Sequence, residues 1–174
     1  GGLDYIKGLD FLVKAFTKLE YKDAVLALVG PDWGYEKGLR TMVKDLGIRD
    51  KVLFAGYLGG KDKFEALVDA DVAVFPSRAE QGLPFAALEA IMCGTDIIVT
   101  EGTGATEDVR KLAPLPIVVE FNDIDKLSYR IGQVLDGMGE IEWWIGQAQA
   151  YIKKNLSMAE KVKDYEKLYT RCVE

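Results

Sequence analysis

Short, unbroken apolar runs alternate with stretches whose apolar residues recur every three to four positions. This alternation constrains the chain more than any other feature. Residues 24–29 are wholly apolar and end at Gly30-Pro31, so they read as a buried strand. Leu9, Leu12, Val13, Phe16 and Leu19 precede them at helical spacing, and Leu39, Met42, Val43 and Leu46 follow on one helical face that Gly47 closes. The alternation continues with a strand at 52–55, a helix at 64–68 and a strand at 72–75. A loop at 76–83 leads into a helix from Pro84 to Cys93, with proline suited to the first turn, where its missing N–H costs nothing. A strand at 97–99, a short helix at 106–112, a strand at 117–119 and helical stretches near 123–136, 140–154 and 158–171 complete the reading. Strands that are apolar throughout, each followed by a helix, predict a doubly wound parallel sheet covered on both faces: a Rossmann-like α/β fold.

With 174 residues the chain is expected to form one domain, residues 1–174. Apolar residues make up 49% and charged residues 29%, which excludes a disordered or low-complexity chain. The net charge of −6 argues against a nucleic-acid partner. There is no histidine, which removes Ser-His-Asp and Cys-His catalysis and His-ligated zinc. Two cysteines, Cys93 and Cys172, form no metal-binding cluster, and no metal or other cofactor is expected. No run approaches the roughly 18 consecutive apolar residues of a membrane span. The start, Gly1-Gly2-Leu3-Asp4, has neither the basic nor the apolar region of a signal peptide. A motif-like segment already lies within the first eight residues, so the chain is expected to be a piece of a longer one.

Doubly wound sheets bind ligands outside the carboxyl ends of their strands. The loops there are 30–34, 56–60, 76–83 and 100–105, and glycine concentrates in them, either to let a ligand approach the backbone or simply to make turns. The most informative stretch runs from Ser77 to Ala90. Glu89 sits among Leu88, Ala90, Ile91 and Met92 in an otherwise apolar helix. A carboxylate there is costly unless it is paired or meets a polar ligand, and ribose hydroxyls would satisfy it. The helix start near Pro84 offers free N–H groups and a positive dipole end, suited to phosphate. One helix could hold both parts of a nucleoside diphosphate; equally, Glu89 could face solvent.

This stretch resembles the signature of the GT-B-fold glycosyltransferases, specifically the large family 4 of retaining enzymes that use nucleotide-sugar donors. Their signature places two glutamates with seven residues between them. Glu89, followed by Ala90, matches the second; the first position falls on Gln81, with Glu80 one residue early, and Gly82-Leu83-Pro84 stands where the family has G-L-P. The resemblance extends along the chain. Leu3-Asp4-Tyr5-Ile6-Lys7-Gly8 is similar to the segment whose lysine binds donor phosphates, with Gly2 where that segment has arginine. Val52 to Leu58, Asp71 to Ser77, Gly102 to Val109 and Asn155 to Tyr169 resemble further family elements in order.

The resemblance implies the C-terminal, donor-binding half of a two-domain GT-B enzyme, without the N-terminal acceptor half. The full-length enzyme would transfer a hexosyl group from a nucleotide diphosphate sugar to a glycan, lipid or small molecule, and the fragment would be inactive. Lys7 would stabilise the leaving diphosphate and Glu89 would hold the ribose hydroxyls. Glu80 or Gln81 would bind a donor-sugar hydroxyl, and backbone near Gly82, Leu83, Pro84 and Phe85 would contact sugar and phosphate. Tyr57 and Leu58 would set backbone against the base. The implied partners are a nucleotide-sugar donor and the missing domain, in the cytoplasm, with peripheral membrane attachment of the full-length enzyme a further expectation. Trp143, Trp144 and Ile145 would either face the missing half or, for the tryptophans, fill the core. Other readings are a phosphorylase or epimerase of the same fold, or a non-catalytic relative. Asp69-Ala70-Asp71 imitates a metal-binding D-x-D but reads as a surface position and the start of a strand. Cys93 reads as core, and Asp96 has no role in this reading.

Overall fold

The computed structural model describes residues 1–78, 85–102, 118–137 and 141–173, and within them strands and helices alternate as the apolar pattern requires. The helices are α1 (Leu9–Phe16), α2 (Glu36–Asp45), α3 (Gly60–Val68), α4 (Phe85–Cys93), α5 (Ile124–Leu135), α6 (Ile141–Asn155) and α7 (Met158–Val173). The strands are β1 (Leu26–Val29), β2 (Val52–Gly56), β3 (Val72–Phe75), β4 (Asp96–Thr100) and β5 (Val118–Val119). The expected helix at 106–112 lies outside the described residues, as do 79–84 and 103–105.

Among the described residues every strand pairing is parallel, as expected for α/β crossovers. The sheet differs from the expectation in one respect: among the described residues it is in two parts, β1–β2 and β3–β4–β5. The segment from Leu3 to Lys7 ties their carboxyl ends together. Leu3 N–H donates to Pro31 O at 2.7 Å beyond β1, and Arg78 N–H donates to Ile6 O at 2.8 Å beyond β3. Helix α1 joins the two parts from one face. Its Phe11, Leu12 and Ala15 pack with Ile98, Val119, Leu127 and Ile131, while its Val13 packs with Leu3, Leu28, Leu39 and Val43.

β4 shows what double coverage means physically. All five of its residues are buried. Ile98 points to α1 and α5, whereas Ile97 and Val99 point to α4 and α6, where they meet Ala87, Ile91, Trp144 and Ala148. Among the described residues the β1–β2 part is covered on one face only: Leu28 is buried, but the register-paired Ala27 and Leu53 are exposed. Trp144 and Ile145 are core residues, and Cys93 is half-buried rather than fully enclosed. The side chain of Trp143 lies outside the described residues. Asp69 and Asp71 are exposed at the end of α3 and the approach to β3. Among the described residues no helix is long and apolar enough to cross a membrane.

Candidate functional site

Four described segments follow the carboxyl ends of β1 to β4: Gly30–Tyr35, Tyr57–Gly59, Pro76–Arg78 and Glu101–Gly102. Each is shaped by identifiable contacts. After β1, Asp32 Oδ1 accepts N–H donors from Gly34, Tyr35 and Glu36 at 2.8, 3.1 and 3.1 Å, which fixes the turn and starts α2. Those bonds, foremost from Glu36 and Gly34, hold its carboxyl below the usual range. Trp33 in this turn lies directly over Gly2, so that a Cβ there would fall 2.2 Å from indole Cδ2. The indole thus occupies the space that a side chain at position 2 would need.

The tight turn Tyr5–Lys7 presents Lys7. Asp4 Oδ1 accepts the N–H of Ile6 at 3.0 Å to start it, and Gly8, at φ +63°, ends it. A Cβ on Gly8 would lie 1.9 Å from Pro76 O, so the chain passes β3 at a separation only glycine permits. Arg78 locks this turn in place. Its guanidinium pairs with the buried Asp10 of α1, donates from Nε to Tyr5 O at 2.9 Å, and lies 4.0 Å over the Tyr5 ring and 4.9 Å from that of Phe121. Thr100 Oγ1 donates to Ser77 O at 2.7 Å, tying the end of β4 to the same loop.

Glu89 is half-buried on α4, between core residues Ala87, Ala90 and Ile91. Its Oε1 is 2.7 Å from Nζ of Lys63 on α3, and both side chains keep about a third of their surface exposed. Of the two orientations open to it, solvent or ligand, the structure gives a third: an ion pair that leaves part of the carboxylate accessible. A Cβ on Gly1 would be 3.5 Å from Lys7 Cε and 3.9 Å from its Nζ.

Tyr57 and Phe85 are prominently exposed, at 74% and 82%, while Leu58 is half-buried. Glu80, Gln81, Gly82, Leu83 and Pro84 lie outside the described residues. Among the described residues no group of three or more metal-ligating side chains comes together. Lys63, Arg78 and Trp33 also shape the site, and no motif marks them in the sequence. Lys63 and Glu89 are 26 positions apart and Arg78 and Asp10 are 68 apart, and neither pairing leaves a periodic trace.

Comparison with known proteins identifies the family and the fold. Residues 1–156 match the family model for glycosyl transferases group 1. An uncharacterized glycosyltransferase of Methanocaldococcus jannaschii is 29% identical over 177 residues, covering all of this chain and 44% of that protein. The D-inositol 3-phosphate glycosyltransferase of Acidothermus cellulolyticus is 32% identical over 146 residues, 78% of this chain and 32% of that protein. The crystal structure of Anabaena HepE in complex with UDP-glucose superimposes with a TM-score of 0.86 at 21% identity, over 98% of this chain and 47% of that one. The likeness to that structure establishes the Rossmann-like fold. The chain spans less than half the length of these proteins.

Proposed function

Because the chain belongs to the group 1 glycosyl transferases, we propose that it is the donor-binding domain of a GT-B enzyme. In this reading the enzyme moves a sugar from a nucleotide diphosphate sugar to an acceptor held by a second domain. The observation that carries the reading is the half-buried carboxylate of Glu89 on α4, paired with Lys63 of the neighbouring helix α3. An ionised carboxylate at the carboxyl edge of the sheet accepts the two ribose hydroxyls. Lys7 places positive charge where the diphosphate leaves, and the α4 N-terminus adds its dipole. Transfer then rests on stabilising charge on the departing phosphate, and this domain supplies no nucleophile. Retention at the sugar carbon and a hexosyl donor belong to the same proposal, as do Tyr57 and Leu58 at the base and residues 80–85 at the sugar. The UDP-glucose carried by HepE supports a nucleotide-sugar ligand for this fold.

The test is calorimetric titration of the full-length enzyme with UDP, GDP and ADP, repeated with Glu89→Ala. Binding of one diphosphate, weakened at least tenfold in the variant, is expected; about 1.4 kcal/mol corresponds to that factor. Absence of binding by the wild type would favour a non-catalytic relative. Release of a sugar 1-phosphate from a glycan and inorganic phosphate, without a nucleoside diphosphate, would favour a phosphorylase.

A further inference from the structure

We propose that Lys63 is a positioning residue of the donor site: it holds the Glu89 carboxylate for the ribose hydroxyls and so sets the preference for ribonucleotide over 2′-deoxyribonucleotide donors. This rests on the donor-site reading above and extends it to a residue on a different helix.

Three features support the assignment. The 2.7 Å contact joins α3 to α4, two helices that pack side by side, and both partners are only partly exposed, so the pair is shielded more than a surface ion pair. Lys63 is held from its own side, with Nζ 4.7 Å from the ring of Phe64. An ionised carboxylate has about four acceptor positions. The ammonium takes one, which leaves room for two hydroxyl donors while fixing the side chain. The placement is also informative. α3 begins directly after Tyr57-Leu58-Gly59, so Lys63 lies one turn beyond the loop that would face the base. A single helix thereby sets the distance between base contact and ribose contact.

The experiment measures affinity of the full-length enzyme for UDP, GDP and ADP and for their 2′-deoxy counterparts, in the wild type, Lys63→Met, Lys63→Arg and Glu89→Ala. The wild type is expected to favour the ribonucleotide by about tenfold or more, as for one hydrogen bond to a charged group. Lys63→Met should weaken the ribonucleotide by about tenfold and the deoxynucleotide by less than about twofold, collapsing the ratio, and Lys63→Arg should restore most of it. A clamp that merely staples α3 to α4 would leave the ratio unchanged, and that result overturns the inference. Equal weakening of both nucleotides in Lys63→Met overturns it too, because Lys63 would then act on the phosphates. If Lys63→Met melts early, Lys63→Arg carries the test: a folded variant whose ratio differs from the wild type by more than about threefold is likewise an overturning result. If the wild type binds diphosphate and Glu89→Ala abolishes binding while Lys63→Met keeps the ratio, the donor site stands and only the role of Lys63 falls. If no diphosphate binds the wild type, both fall.

Discussion

Trp144 donates its indole N–H to Oδ1 of Asp96 at 3.0 Å, across 48 residues and with both side chains buried. Asp96 opens β4 and Trp144 lies on α6, so this bond seats the helix on the end of the most buried strand. Burial pushes the Asp96 carboxyl above its ordinary range, and the indole bond offsets this only in part. Asp96→Asn keeps an acceptor and removes the charge, so at neutral pH it should melt at or above the wild type. Asp96→Ala leaves a buried N–H unpaired and should lose about 1–3 kcal/mol.

The pH dependence of that pair has a definite sign. A carboxyl whose folded pKa is raised keeps its proton longer when folded, so its favourable contribution is complete below the unfolded value of about 3.9. It declines as pH rises towards the folded value and is constant beyond. The advantage of Asp96→Asn should therefore be smallest near pH 4 and larger at pH 7, in thermal melts followed by circular dichroism. A gap that does not change with pH would count against burial as the cause.

Arg78 and Asp10 form the opposite case, a part-buried pair in which each charge has its partner. Arg78→Met would strand Asp10 and remove the stack on Tyr5, which should cost about 2–4 kcal/mol in urea unfolding. Arg78→Lys should recover only part of this, because an ammonium cannot reproduce the planar fork or the stacking. Full recovery by lysine would show that charge alone matters there.

The turn after β1 predicts acid sensitivity. The Asp32 carboxyl is held below its usual range by backbone N–H donors, so its contribution is present above the unfolded pKa and is lost as pH falls through the folded one. Asp32→Ala should melt below the wild type at neutral pH, and the two curves should converge at strongly acid pH. Curves that stay parallel would assign the effect to the loop rather than to the charge.

Gly2 and Trp33 compete for one space. Gly2→Arg must lift the indole from its seat, since even a Cβ would meet it at 2.2 Å. Trp33 is 62% exposed and can swing out, so stability should change by less than about 1 kcal/mol. The added cation should tighten diphosphate binding. Trp33 emission should shift to longer wavelength, read against Trp33→Phe; an unshifted spectrum would mean that the indole never left.

Much of the fold was legible because each element carries its own signature. The run at 24–29 holds β1, the 3.6-residue spacing of Leu9 to Phe16 holds α1, and 72–75 is β3 to the residue. Glu89 was conspicuous because a carboxylate breaks an apolar helix. Its partner was not, since Lys63 is an unremarkable lysine on a surface helix until α3 and α4 meet. The division of the sheet also escaped the sequence, because apolar runs mark strands but do not say which strands share hydrogen bonds. Asp96 looked aimless for the same reason: its meaning lies in Trp144.

The unequal covering of the two sheet parts should be readable in amide hydrogen exchange. Amides of β4, flanked by strands on both sides and by helices on both faces, should open only with the whole domain. Those of β1 and β2, with Ala27 and Leu53 uncovered, should open in smaller excursions and exchange sooner. Any ligand that grips Lys7 and Glu89 together spans the seam between the parts, and would announce itself by slowing exchange in β1 and β2, strands it need not touch.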